Sequence, residues 1–412
     1  MNLSEFYSQI LGIEMPWQIS KVEVSSSSKD VRIEIALPKD SKIACPCCGQ
    51  ICSIYDYTPE RQWRHLDTCD HETHIHSRIP RTQCDKCGIH RVLAAWTRPY
   101  SKFTLLFERH AIEVLQNNQV LSRSAQQLNI SLDEMRGIRD KALERGLNRR
   151  QADKPTYKVV HLCIDEKSLF RGHHYVTIFY DGQTGRVLEV IEHRTQIATQ
   201  EGLRLLDKLI KLSDVEVVTM DMWEAFRNAV ELGIPQADIV HDRFHIAQHL
   251  NKAVDIVRRA ENKKLGKQED ERLKKTRYIW LKDPEKLTDK QQVIFDELVQ
   301  DHTLNTVKSW ELKENFKSFF DCQNKAQALQ FFKDWKKKVE DNSLKPLLKV
   351  ADMIKKHLDR MLNYFKHRVS NAMAECKNAS IQQIKMKARG FKSAKAFRNA
   401  ILFYCGQLEL FP

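Results

Sequence analysis

Seven of the eleven cysteines fall between Cys45 and Cys87, and no other feature constrains the fold as tightly. Among them are two Cys-x-x-Cys pairs, Cys45-Pro46-Cys47-Cys48 and Cys84-Asp85-Lys86-Cys87, each followed by a glycine (Gly49, Gly88). Two such knuckles present four thiolates to a tetrahedral Zn²⁺, and the glycines relieve the tight backbone around the metal. Cys45, Cys48, Cys84 and Cys87 are therefore the expected ligands of a structural zinc. A four-thiolate site leaves no position open for substrate, so its work is to stabilise the fold. Cys47, Cys52 and Cys69, with His65, His71, His74 and His76, lie near enough in sequence to substitute for a ligand. The plainer alternative is a set of buried or redox cysteines.

At 412 residues the chain exceeds one ordinary domain, and about two to four are expected. Its 42% hydrophobic content is enough to build cores, and its formal charge of +13 favours a polyanionic partner. Ribosomal and membrane-surface proteins are basic too, so charge alone decides little. No apolar run approaches the ~20 residues of a membrane span. The first twenty residues carry Glu5 and Glu14 without a basic start, so no signal peptide is expected. The expected compartment is the cytoplasm, where thiols stay reduced and a disulfide framework is disfavoured.

Period-two runs at Ile19–Val24 and Val31–Ile35 around the polar stretch Ser25–Asp30 predict a β-hairpin in residues 1–40. The zinc-binding domain is expected over 41–99. Residues 102–148 are proline-free and helical in pattern, and 150–156 form a polar boundary. Within the helical part, Ser122–Ile138 has the pattern of a helix-turn-helix, giving a DNA-binding domain over 100–150. Ala125, Leu128, Ile130, Met135 and Ile138 pack across the turn, and Asn129 sits where a left-handed residue is needed. Ser131 and Glu134 form a capping box. Arg136, Arg139 and Lys141 are expected on the exposed face of the recognition helix. A helical hairpin inside a core is the alternative.

Short strands follow: Tyr157–Ile164 stopping at Asp165, then Tyr175–Tyr180 and Val187–Ile191 around an Asp181–Gly185 turn. After a helix over 197–212 comes Val215–Met220, stopping at Asp221. A helix over Met222–Leu232 and a strand over Ala237–Val240 complete a first core part, 151–243. From Phe244 the pattern is helical and highly charged, broken at Asp283-Pro284.

In an RNase H-like topology the first strand of such a meander lies beside the fourth, which brings Asp165 and Asp221 together. Two close carboxylates need a compensating charge, which Mg²⁺ with oxygen ligands supplies. For Asp221 alone a helix N-cap is an even alternative. Glu166 beside Asp165 leaves the choice between them open, since adjacent strand residues face opposite ways. Glu375 is the only acidic residue between Arg360 and Glu409, amid Lys366, Arg368, Lys377, Lys385, Lys387, Arg389, Lys392, Lys395 and Arg398. A surface helix would mix signs to gain i,i+4 pairs. A lone acid here fits a metal ligand set in a phosphate-binding face, with Lys385 and Arg389 as DNA contacts. Asn371 and Asn378, at i−4 and i+3, share its side of the helix. A buried ion pair with a nearby lysine is the bland alternative.

The two knuckles, the helix-turn-helix, Ile164-Asp165-Glu166, Met220-Asp221-Met222-Trp223, His241-Asp242-Arg243-Phe244-His245 and Asn371–Lys385 occur in that order. Together they resemble bacterial insertion-sequence transposases of the ISL three family, from Cys45 to about Phe403. Cys47 is extra within the first knuckle. The resemblance implies a DDE-type enzyme: an α/β, RNase H-like catalytic core with a helical insertion (244–368), preceded by a zinc-binding domain and a helix-turn-helix. The last acidic residue then lies on a C-terminal core helix (369–412). The implied catalytic residues and Mg²⁺ (or Mn²⁺) ligands are Asp165, Asp221 and Glu375, with two ions. Asp242, His245 and Asn378 are expected to shape the site. The implied partners are double-stranded DNA, as terminal inverted repeats and target, and further copies of the chain on that DNA, at the bacterial nucleoid. A domesticated non-catalytic regulator and an RNase H-like nuclease without strand transfer are the alternatives.

Overall fold

Alternation in the N-terminal hairpin makes one face apolar, and a hairpin cannot bury such a face alone. In the computed structural model, which describes residues 3–412 except 155, 171 and 173, that face packs against Tyr7, Trp17, Ile43, Ile79 and Trp96. Pro155, within the expected 150–156 boundary, lies outside the described residues, as do Met1 and Asn2 of the 1–40 region. Two compact units result: one up to Asn148 with Leu408–Pro412, the other Arg149–Gln407.

The first unit opens with α1 (Leu3–Leu11) and contains strands β1 (Gln18–Ser25), β2 (Asp30–Ala36), β3 (Lys42–Ala44), β4 (Ile51–Tyr57), β5 (Arg61–Arg64), β6 (Glu72–Ser77), β7 (Pro80–Cys84) and β8 (Gly88–Arg91). They make two sheets, ordered β1-β2-β6-β5 and β3-β4-β7-β8. The expected hairpin forms, with Val22 opposite Ile33 and Val24 opposite Val31. However, the expected division at residue 40 is not kept. β2 runs parallel to β6, Ile33 opposite Ile75, so residues 1–40 and 41–99 share a sheet. Ile33, Ile35, Ile75, Trp63 and Trp96 bury themselves in one core, which supplies the reason.

Three helices follow: α2 (Leu105–Asn118), α3 (Leu121–Gln127) and α4 (Leu132–Ala152). Asn129 in the α3–α4 turn has φ +50°, the left-handed value that Asn tolerates. The Ser131 hydroxyl accepts from the Glu134 N–H, and the Glu134 carboxylate accepts from the Ser131 N–H. Ala125, Leu128, Met135 and Ile138 are buried across the turn.

In the second unit a five-stranded sheet is formed by β9 (His161–Phe170), β10 (His174–Asp181), β11 (Val187–Glu192), β12 (Val217–Met220) and β13 (Asp238–His241), ordered β11-β10-β9-β12-β13. β10 is antiparallel to β9 and β11, whereas β12 is parallel to β9 and β13. The first strand thus lies beside the fourth. α5 (Gln196–Leu206), shorter than the 197–212 expectation, and α6 (Glu224–Gly233) bury one face with Leu162, Ile164, Phe179, Leu203 and Phe226.

After β13 come α7 (Arg243–Gly266), α8 (Arg277–Leu281), α9 (Asp289–Val299), α10 (Asn305–Phe316), α11 (Lys325–Asp341), α12 (Lys345–Leu362) and α13 (Tyr364–His367). Their apolar faces close two cores of their own, one around Trp280 and Phe295, the other around Phe316, Phe332 and Trp335. The C-terminal stretch, expected as one core helix, holds two: α14 (Ala372–Lys387) and α15 (Ala394–Cys405). A left-handed pair, Arg389 (φ +54°) and Gly390 (φ +95°), ends the first. Residues 408–412 then group with the first unit, a second departure from the expected division.

Candidate functional site

In the zinc-binding sheet both knuckles are hairpin turns, one joining β3 to β4 and the other β7 to β8. Antiparallel pairing of β4 with β7 puts the start of one beside the end of the other, so the turns share an edge. The thiols of Cys45, Cys48, Cys84 and Cys87 all lie within 4.8 Å of one another, the only set of this kind among the described residues. Cys48 and Cys84 sulfurs are 3.6 Å apart, close to the spacing that four Zn–S bonds of ~2.3 Å impose. Gly49 and Gly88 take φ of +74° and +83°, as the knuckles require. The backbone N–H groups of Lys86 and Cys87 hold the Cys84 thiol down at about 6, while its sharing of a hydrogen with Cys48 pushes Cys87 up to about 12. Four thiols this close cannot all ionise unaided, and a divalent cation is what lets them do so. The donor set therefore fits zinc, and the histidines considered as substitutes point elsewhere. His65 bonds Thr104, and His74 pairs with Asp30.

A second constellation lies at one edge of the five-stranded sheet. Thr219 of β12 pairs with Cys163 of β9, and Met220 pairs with His241 of β13. Asp165, Asp221 and Asp242 follow these positions by one or two residues, so three adjacent strands deliver three carboxylates to the same edge. Asp165 is not at a strand tip as expected. β9 runs on to Phe170 because β10 keeps pairing with it, while the β12 ladder ends two residues before Asp165.

Period-two alternation aims Leu162 and Ile164 into the helix-covered core and Asp165 to the opposite face, where α14 lies. Two asparagines fix that helix. Asn371 accepts from the Thr219 hydroxyl at 3.1 Å, and Asn378 donates its amide N–H to Asp165 Oδ2 at 2.5 Å. Asn378 Oδ1 in turn accepts from the hydroxyl of fully buried Tyr180 at 2.8 Å, which sets the amide orientation. Sequence alone does not single out Tyr180, since β10 also carries Tyr175 and Thr177 and only packing shows which polar tip is buried. Glu375 stands between the two asparagines on the same side of α14, exposed, and among the described residues it has no ion pair with a lysine. The alternative of a structural salt bridge is not what the fold shows.

Burial pushes Asp165 up to about 6, with the charges of Asp221 and Asp242 adding to the effect. Asp221, Asp242 and Glu375 are raised as well, each chiefly by burial. Asp242 caps α7, its Oδ1 accepting from the Phe244 N–H at 3.0 Å. Its Oδ2 is buried without a hydrogen-bond partner, 4.0 Å from the His245 ring. A buried carboxylate oxygen without a hydrogen bond costs free energy until a cation or proton meets it. The carboxylates are less tightly gathered than the thiols, but oxygen donors around a shared edge fit hard divalent cations. Asp221 is not the cap of α6, which begins at Glu224; its Oδ1 accepts from the Trp223 N–H at 2.8 Å. Glu166 faces away from Asp165 and pairs with Arg194 at 2.7 Å.

A cleft of about 560 Å³ opens beside Asp242 and Glu375, rimmed by Arg243, Lys282 and Lys317. On α14, Lys385 reaches the Ser168 carbonyl at 2.8 Å, and Arg389 is exposed at the helix end. In the first unit Arg136 and Lys141 are exposed on α4, but Arg139 is not. It is 6% exposed and pairs with Asp140, because its helical position turns toward the buried Met135–Ala142 side. Arg139 is thereby removed from the expected DNA-contacting set.

Among the described residues no helix is long and apolar enough to cross a membrane. Residues 162–401 match a family model described as a transposase of the ISL3 DDE type. Residues 41–87 match one described as the zinc-finger of transposase IS204/IS1001/IS1096/IS1165. The chain is 26% identical over 366 residues to the transposase for insertion sequence element IS1001 of Bordetella parapertussis, covering 87% of this chain and 88% of that one. It is 23% identical over 403 residues to the transposase for insertion sequence element IS1557 of Mycobacterium tuberculosis, covering 89% and 87%.

Proposed function

The chain belongs to the ISL3 family of DDE transposases, and on that premise we propose that it cuts and rejoins DNA at the ends of an insertion sequence. The observation carrying this reading is the shared sheet edge. There Asp165 sits on β9 and Asp221 just beyond its parallel neighbour β12, and two asparagines hold the Glu375 helix against them. The strand order, with three antiparallel strands continued on one side by two parallel ones, supports an RNase H-like core. The residues after β13 up to 368 are its helical insertion.

In this reading Asp165, Asp221 and Glu375 hold two Mg²⁺ (or Mn²⁺) ions. When bound, such ions neutralise the carboxylates, activate an attacking oxygen and stabilise the leaving one. The protein's part is positioning. Tyr180 and Asn378 fix the Asp165 carboxylate, Asn371 fixes the start of α14, and Asp242 with His245 borders Glu375. Arg243, Lys282, Lys317, Lys385 and Arg389 face phosphates, so binding weakens steeply with salt. The zinc ribbon and a helix-turn-helix formed by α3 and α4, with Arg136 and Lys141 outward, hold the terminal inverted repeats. Two ends must be joined in one reaction, which favours a homo-oligomer on DNA.

The test offers pre-cut DNA bearing the inverted repeats that border the gene, with Mg²⁺ and a target plasmid. Joined products are expected from the wild type and none from Glu375→Gln. Cutting without joining would make the chain a nuclease, and binding alone a regulator.

A further inference from the structure

Two strand ends in the second unit are built alike. Asp221 follows β12 and accepts the Trp223 N–H at 2.8 Å, and Asp242 follows β13 and accepts the Phe244 N–H at 3.0 Å. Each turn therefore places an aromatic ring two residues beyond a carboxylate of the cluster. Both rings remain in solvent, Trp223 at 41% and Phe244 at 48%. Large rings left this far in solvent beside a charged edge forgo much of the burial that folding offers, and such surfaces mark binding sites.

Trp223 differs from Phe244 in being braced. Its indole N–H donates to the Arg194 carbonyl at 2.9 Å, and the Arg194 guanidinium lies 4.6 Å from its ring centre. The same guanidinium sits 4.0 Å over the Tyr175 ring and is gripped by both oxygens of Glu166, at 2.7 and 3.0 Å. Tyr175, Arg194 and Trp223 line one open cleft of about 430 Å³. A tryptophan held by a hydrogen bond and a cation, with two-fifths of its surface uncovered, is a fixed flat apolar face.

We propose that Trp223, backed by Arg194 and Tyr175, is a stacking platform for one nucleobase turned out of the DNA beside the phosphate that Asp165 and Asp221 engage. The inference rests on the reading of those carboxylates as the site of DNA chemistry. A stacked duplex hinders entry of a single phosphodiester into a cluster recessed at a sheet edge. Turning out a base frees the backbone, and an aromatic face offsets the lost stacking without reading sequence. Arg194 adds cation–π attraction to the same stack.

The test uses the full-length chain in EDTA, so that no strand is cut. The probes are a dT oligonucleotide with one 2-aminopurine and a duplex with 2-aminopurine opposite an abasic position. Quenching of the probe on binding is expected for the wild type, and less of it for Trp223→Phe. With Trp223→Ala the quenching is lost and affinity for the single strand falls about tenfold or more. Equal quenching by wild type and Trp223→Ala overturns the platform. A second arm, with Mg²⁺ and terminal-repeat DNA, compares an intact with an abasic nucleotide beside the cut. The abasic substrate is expected to restore cleavage by Trp223→Ala; a loss it does not relieve marks a merely structural role and overturns the proposal. Because quenching needs no metal or cutting, its presence without any cleavage would count against the transposase reading and leave the platform standing. Cleavage without quenching that depends on Trp223 would do the reverse.

Discussion

The molecule contains two clusters of ionisable side chains built on opposite plans. In the first unit four thiols sit within 4.8 Å on two facing knuckles, gathered as tightly as a single ion demands. In the second, carboxylates come from three strands and a helix, stand further apart, and leave an oxygen of Asp242 buried without a hydrogen-bond partner. The closed set suits an ion that stays and holds the fold; the open set suits ions that must also meet a substrate. Tightness of preorganisation tracks the task.

Removing one side chain from each cluster should have opposite consequences. Loss of a structural zinc forfeits folding free energy on the order of 10–16 kcal/mol, so Cys84→Ser should unfold the ribbon. Bound zinc per chain should fall to none, and repeat-DNA binding should vanish. An unchanged melting curve for Cys84→Ser would show that the thiol cluster is not structural. Glu375→Gln should do the opposite. Joining should fall by about a thousandfold or more, the loss of several kcal/mol of transition-state stabilisation, while the melting temperature stays put. Single-turnover joining assays and calorimetry on the same samples decide it.

A third experiment asks whether the open cluster is a strained arrangement. Burial raises Asp165 to about 6 in the folded chain, against about 3.9 unfolded. Between those values the folded state keeps a proton that the unfolded state has lost. The stabilisation from this group is therefore complete below about pH 3.9 and is lost as pH rises through about 6. Asp165→Asn carries no such cost. It should stabilise the metal-free protein near neutral pH by up to about 2–3 kcal/mol, and the gain should shrink to nothing toward about pH 4. Chemical denaturation at several pH values in EDTA measures this, and a gain independent of pH would assign it to packing. Saturating Mg²⁺ should reverse the ranking, since it stabilises the wild type and not the variant.

The two clusters were also unequally legible in the sequence. The zinc ligands are local: a three-residue spacing and a following glycine already state the geometry, and only the choice among neighbouring histidines needed coordinates. The carboxylates are not local. Asp165 and Asp221 could be paired only by assuming which strands lie side by side, and Glu375 stood out by charge contrast over its helix. The α3–α4 turn was readable because Asn129 and the Ser131–Glu134 cap act within a few residues. What escaped was tertiary. Nothing near Ile33 announces that Ile75 lies beside it, and only helix phase and packing decide that Arg139 turns inward. The Glu166–Arg194–Trp223 brace likewise links three distant segments.

Asn378 provides the finest test of how loosely the open cluster can be held. Its amide N–H reaches Asp165, and its oxygen takes the hydrogen of buried Tyr180, so one side chain ties the carboxylate to the core. An outer partner that orients a metal ligand typically costs about 10–100-fold when removed. Asn378→Ala should therefore slow joining within that range and raise the Mg²⁺ concentration needed for half-maximal rate, with little change in DNA affinity. Tyr180→Phe removes only the bond that orients the amide, so its effect should be smaller and in the same direction. If Asn378→Ala changed DNA binding and left the metal requirement unaltered, the residue would belong to the phosphate-facing side of α14. The carboxylate edge would then owe its geometry to the strands alone.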